Sequence, residues 1–143
     1  MNKLVLTALG VMAISACNTN PFLTEWTGAD AFPPFDKIKT SDFVPAVKAG
    51  IEQQEAEVNA IVTNEAAPTF ENTIAAYELS GEILAKTLGV LYNVSESDAT
   101  PEMQAVMDEV TPLLTASSDN IFMNKAFFER VKAVYADSSS LDR

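Results

Sequence analysis

The stretch 69–91, TFENTIAAYELSGEILAKTLGVL, decides the fold. Ile74, Tyr77, Gly81, Leu84, Leu88 and Leu91 follow one another in steps of three and four. That spacing lines side chains along one face of an α-helix. Thr69 follows Pro68 and precedes Phe70, Glu71 and Asn72, which marks a helix start. The pattern therefore predicts one helix from Thr69 to beyond Leu91. Burying its five large side chains would stabilise the chain by about 1.5–3 kcal/mol each, on the order of 10 kcal/mol before entropy. Such a stripe requires a partner surface. Gly81 within it costs about 1 kcal/mol relative to alanine, which points to a neighbour passing close by.

The same period continues on both sides. Upstream, Thr40 or Ser41 can cap a helix whose first turn carries Asp42 at the positive end of the dipole. Pro45 falls in or just after that turn, where a missing N–H costs little. Phe43, Val47, Ile51, Val58 and Ile61 form its apolar face, with Glu52, Gln53, Glu55 and Glu57 outside, and TNEAAP (63–68) ends it. Downstream, Thr100-Pro101-Glu102 places cap, proline and acid in the order of a helix start. Met103, Val106, Met107, Val110, Leu113 and Leu114 follow, and Pro112 is expected to kink or divide the helix. A last helix is expected from Asn124, as cap, to about Tyr135, burying Phe127, Phe128, Val131 and Val134. No useful run has strand period, so the fold class is all-α, an array of about four helices.

Residues 17–39 do not read as helix, because Pro21, Pro33 and Pro34 break it. Phe22, Trp26, Phe32 and Phe35 are too many aromatics for a plain spacer. An extended arm docking these rings on the folded surface is expected. Before it, Lys3 and the apolar run 4–14 are too short for a membrane span and match the apolar region of a secretory signal. Ile14-Ser15-Ala16-Cys17 resembles a bacterial lipobox, with Ile14 in place of the commoner leucine and Cys17 as the lipidated residue. An ordinary signal peptide and a buried N-terminal helix are the competing readings. On the lipobox reading the protein is exported and held by lipid at a bacterial cell membrane, on its periplasmic or surface face. So acidic a chain gains nothing from anionic lipid, and the acyl chains must supply the membrane affinity.

The chain has 143 residues and a net charge of −11 at pH 7, so it repels phosphate backbones and nucleic acid is not an expected partner. It contains no histidine and one cysteine, which leaves no internal disulfide and no ordinary zinc site. It has no Gly-rich phosphate loop, EF-hand pattern, H-E-x-x-H or G-x-S-x-G. Glu52 with Glu55 reads as a solvated acidic face, as does Asp108 with Glu109, which point about 100° apart on a helix. Ser138 to Ser140 have no base to activate them. Met103 and Met107 read as core packing, and the sequon Asn93-Val94-Ser95 as chance in a helix. No catalytic or metal-binding residue is assigned.

Several stretches together are familiar: NPFLTEW (20–26), FPPFDKIKTSDFVPAVKAGIEQQEAEVNAIVTN (32–64), APTFENTIAAYELSGEIL (67–84) and NIFMNKAFFERVKAVY (120–135). They resemble the N-terminal region of peptidyl-dipeptidases, in the thimet-oligopeptidase-like family of zinc metallopeptidases, over about residues 20–136. The resemblance implies a larger, almost entirely helical enzyme that removes C-terminal dipeptides from short peptides held in a channel. It places zinc on an H-E-x-x-H helix with a further Glu, far toward the C-terminus, none of which exists here. It further implies that later helices supply the partner of the leucine stripe. The expected organisation is a lipoprotein signal peptide (1–16), an extended arm (17–39), a helical N-terminal domain of the peptidase (40–136) and a truncated connection (137–143). The chain is then expected to form a wall of the substrate channel and to depend on a C-terminal catalytic part carrying the zinc. A free-standing, lipid-anchored helical binding or interaction protein is the alternative.

Overall fold

The computed structural model describes residues 19–27 and 32–137. Among them there are helices and no strand, as the period predicts. Helix α1 spans Thr40–Val62; α2, Ala76–Glu78, continues a π-helical turn at Phe70–Ala75; α3 spans Glu82–Ser97, α4 Pro101–Phe122 and α5 Lys125–Ala136. The arm contributes one 3-10 turn, Pro21–Leu23.

Local hydrogen bonding sets most of the starts. Thr100 Oγ1 accepts from the Met103 N–H at 3.2 Å, ahead of Pro101 at the first helical position. Asn124 Oδ1 accepts from the Ala126 and Phe127 N–H groups at 3.0 and 3.1 Å. In α1 the cap is Lys39, not Thr40 or Ser41. The Asp42 carboxylate reaches back to accept the Lys39 N–H at 2.8 Å, so the helix is entered one residue earlier than expected. Pro45 lies inside α1, past the first turn, on its exposed side. Pro112 is likewise exposed within α4, which runs undivided to Phe122.

The long helix expected over 69–91 is broken. After α2 the Ser80 N–H and hydroxyl both donate to the Tyr77 carbonyl, at 3.0 and 2.6 Å. Gly81 then takes φ +73°, a left-handed conformation that stops a helix and that glycine adopts without strain. Helix α3 starts afresh at Glu82. The close neighbour expected at Gly81 is present: a Cβ there would lie 2.8 Å from Gln54 Nε2 of α1.

Helix α1 is the spine of two apolar clusters. In the first, Phe43 and Val47 meet Leu84 and Leu91 of α3, Val106 and Val110 of α4, and Phe22 of the arm. In the second, Val58 and Ile61 meet Ile121 and Phe127, with Tyr77 and Val131 packed alongside. The Tyr77 ring stands 5.1 Å from Phe127 and 6.0 Å from Phe122 between centroids. Leu84 and Leu91 of the leucine stripe thus find partners inside the chain, on α1 and α4, while Leu88 is only partly buried. Two helices that both present small or flat surfaces can close on each other, and Gly50 of α1 lets the Leu84 backbone approach to within contact.

The arm docks in part. Phe22 is 0% exposed, its ring 5.2 Å from Phe43 and 6.1 Å from Trp26. Asn20 Nδ2 donates to the Asp42 carbonyl at 2.7 Å, tying the arm to the start of α1. Phe32 and Phe35, at 74% and 59% exposed, are not docked; the turn at residues 35–37 faces solvent. In α5, Phe127 and Val134 are buried and Val131 half-buried, whereas Phe128 is 57% exposed. Neighbouring residues on a helix point about 100° apart, so Phe127 and Phe128 cannot both face α1. Arg130 occupies the inner face instead.

Candidate functional site

Cys17 and Ser138 to Ser140 lie outside the described residues. Glu52 and Glu55 are exposed on α1, and Asp108 and Glu109 on α4. Glu109 accepts from Lys48 at 2.8 Å across the α1–α4 contact. Met103 is buried and Met107 packs against the same cluster. The Asn93 amide donates to the Gly89 carbonyl at 2.6 Å within its own helix. Among the described residues, no three His, Cys, Asp or Glu side chains gather as a metal would require. With no histidine in the chain, the residues present do not fit the zinc site that the resemblance implies.

Two polar clamps hold the break between α2 and α3 and the loop before it. Glu57 Oε2 accepts the Gly81 N–H at 2.7 Å, Gln53 Oε1 accepts the Ile83 N–H at 3.3 Å, and the two side chains bond each other at 3.0 Å. A carboxylate from α1 therefore caps the positive end of α3. The second clamp is Arg130, only 9% exposed. Its guanidinium donates to the Asn64 and Ala66 carbonyls at 2.9 and 3.3 Å and to Asn72 Oδ1 at 3.1 Å. Asn64 follows the C-terminal end of α1, where the helix dipole favours a cation. The Arg130 Nε has no partner among the described residues. Sequence reasoning assigned neither clamp. The signal for Arg130 was its place three residues after Phe127, on the inner face of α5.

Beside the second cluster, burial raises the Tyr77 phenol above its ordinary pKa of 10.0, with the neighbouring Glu78 charge acting in the same direction.

A trough of about 390 Å³ runs between the arm and α3. Lys86, Gly89, Val90 and Asn93 form its floor, at helical spacing, and Trp26, Pro33 and Phe35 its wall. Trp26 is fixed there: its Nε1–H donates to the Pro21 carbonyl at 3.0 Å. The Lys86 ammonium lies 5.4 Å from the centre of the Trp26 ring and donates to the Thr24 carbonyl at 3.1 Å.

No family model matches the chain. It is 36% identical over 124 residues to a dipeptidyl carboxypeptidase of Salmonella typhimurium, and 34% identical over 122 residues to one of Escherichia coli. These matches take in 87% and 85% of this chain and 18% of each relative. An oligopeptidase A of Salmonella typhimurium is 27% identical over 100 residues, 70% of this chain and 14% of that relative. The chain therefore spans less than a fifth of the length of the curated relatives it matches. Identity at this level, sustained across most of its residues, makes the chain a homologue of the bacterial dipeptidyl carboxypeptidases over a limited part of their length.

Proposed function

We propose that the chain is a framework element of a zinc peptidase that releases C-terminal dipeptides from short peptides. In this role its helices form a wall of the substrate channel, and residues outside this chain carry the metal and the chemistry. One observation carries the proposal: some 85% of the chain aligns with dipeptidyl carboxypeptidases at 34–36% identity while spanning 18% of them. The absence of a metal-holding cluster among the described residues is compatible with that division of labour. Two measurements test it. The 143-residue chain, incubated with zinc and a short blocked peptide, is expected to release no dipeptide; zinc-dependent turnover by this chain overturns the proposal. The DNA following the Arg143 codon is expected to continue in frame to H-E-x-x-H.

A second reading has its own support. Leu84 and Leu91 are sealed within the chain by α1 and α4, so the core does not depend on an outside surface. That favours a free-standing helical binding protein. Reversible, cooperative unfolding of a monomer together with a stop codon after Arg143 would support it over the first.

For location we propose export and lipid attachment at Cys17, on the strength of Ile14-Ser15-Ala16-Cys17 after an apolar run. Cys17→Ser is then expected to lose acylation and to leave the membrane fraction. Equal membrane retention of parent and variant would sink this proposal.

A further inference from the structure

We propose that the trough between the arm and α3 binds a short extended peptide, with an apolar side chain over Gly89 and its terminal carboxylate beside Lys86. The inference is independent of the framework role above and would hold for a binding protein as well.

Gly89 is the first indication. A glycine in the middle of a helix is unfavourable, and the chain explains its other helix-associated glycines by contact. A Cβ at Gly50 would meet the Leu84 backbone, and one at Gly81 the Gln54 side chain. A Cβ at Gly89 would meet nothing within 4 Å. No atom of the described chain needs glycine there. Its effect is to leave the floor of the trough open.

The dimensions and chemistry narrow the occupant. From Lys86 to Asn93 the floor runs seven residues along α3, about 10 Å, which matches about three residues of extended peptide. Trp26, Pro33 and Phe35 make one side apolar, and Phe35 is otherwise left in solvent. The two ends are polar and different. At one end the Lys86 ammonium has three donors, one of them given to the Thr24 carbonyl. Among the described residues the ion pairs are Lys48–Glu109 and Lys132–Glu129, and none of their carboxylates pairs with Lys86. At the other end Asn93 donates through its Nδ2, leaving its carbonyl oxygen to accept an N–H. A cation at one end, an acceptor at the other and an apolar middle complement a peptide running from an N–H at Asn93 to a carboxylate at Lys86. Charge complementarity to Lys86 calls for a carboxylate, which a free carboxyl terminus supplies whatever the peptide's side chains.

Trp26 is the chain's only tryptophan, so its fluorescence reports on this trough. The probes are Ala-Leu-Ala with a free carboxylate and the same peptide as its C-terminal amide, titrated into the 143-residue chain, with calorimetry as a second readout. The free acid is expected to give a saturable signal and the amide to bind about ten-fold more weakly. Lys86→Gln is expected to bring the acid down to the level of the amide and to leave the amide unchanged. Gly89→Leu, whose side chain enters open space and so spares the fold, is expected to weaken both about ten-fold or more, with an unchanged circular dichroism spectrum. No saturable binding up to about 10 mM, a range that covers weak small-peptide sites, overturns the proposal. So does equal binding of acid and amide. A concentration-dependent dimer that Gly89→Leu abolishes would put a second copy of the chain in the trough, and also overturns it.

Discussion

Replacing Gly50 by alanine tests how α1 and α3 are joined. The new Cβ would stand 2.7 Å from the Leu84 nitrogen, 2.8 Å from its Cα and 3.0 Å from its Cβ. Two of these are backbone atoms and the third is fixed to the backbone, so no rotamer change relieves the clash. Restoring ordinary contact requires the helices to part by about 0.7–1 Å at the crossing. That motion loosens Leu84 and Leu91 from Phe43, Val47 and Val110, which share the larger cluster. Overpacking costs about 1–3 kcal/mol, and rigid obstruction puts this case near the upper end. The better helix propensity of alanine offsets about 1 kcal/mol, leaving a net loss of about 2 kcal/mol. Gly89→Ala is the matched control. It makes the same chemical change in a helix, with nothing within 4 Å of the new atom, and is expected to gain about 1 kcal/mol. Urea unfolding followed by circular dichroism measures both, and the two variants should fall about 3 kcal/mol apart. If Gly50→Ala were as stable as the parent, α1 and α3 would not be in backbone contact at this point, and the explanation of how the leucine stripe is sealed would fail.

Arg130→Met keeps much of the side-chain volume but removes the donor that ties the Asn64 and Ala66 carbonyls to Asn72 Oδ1, which keeps only the Thr69 N–H and the Thr73 hydroxyl. It is expected to cost about 2 kcal/mol and to raise amide hydrogen exchange around residues 70–76; exchange unchanged there would show that the clamp does not order the π-helical turn. Tyr77 gives a pH dependence. Its folded pKa is raised, so its contribution to stability is intact below the unfolded value near 10.0 and is lost as pH rises through the folded value. Tyr77→Phe should remove that alkaline loss, and a parent and variant that weaken equally above pH 10 would refute the assignment.

What the sequence revealed and what it hid follow from the range of the interactions. Thr100 and Asn124 were legible as caps because each acts on N–H groups two or three residues away. The break at Gly81 was hidden by a coincidence of phase. Tyr77, Gly81 and Leu84 keep helical spacing although the helix stops between them, so periodicity passes through the break unaltered. Leu79-Ser80-Gly81 was the local signal, a glycine placed to end a helix. The Glu57 clamp joins residues 24 apart, which no spacing within one helix displays. Two adjacent aromatics at 127 and 128 left the inner face of α5 undecided, and the structure gives it to Phe127 and Arg130. The trough shows the same limit. Lys86, Gly89, Val90 and Asn93 share a face that can be counted off the sequence. Only the arm, folded back through Phe22 and Trp26, turns that face into the floor of a site.

Closure of the leucine stripe moves the question of partners to other parts of the surface. Leu84 and Leu91 no longer call for an outside helix, but Leu79, Phe122 and Met123 are exposed where the helices turn, and Phe128 and Tyr135 are exposed on α5. Phe128 and Tyr135 lie seven residues apart and so share a face, with Lys132 between them in near register. A free-standing protein gains nothing from two aromatic rings held in water on one side of its last helix. A framework element gains a packing surface from them. The two functional readings therefore differ most at α5, and less at the core that first suggested a missing partner. If the chain works within a larger peptidase, charged substitutions at Phe128 and Tyr135 are expected to disturb assembly while leaving the fold of the described helices intact, and assembly unchanged by them would remove α5 as a packing surface.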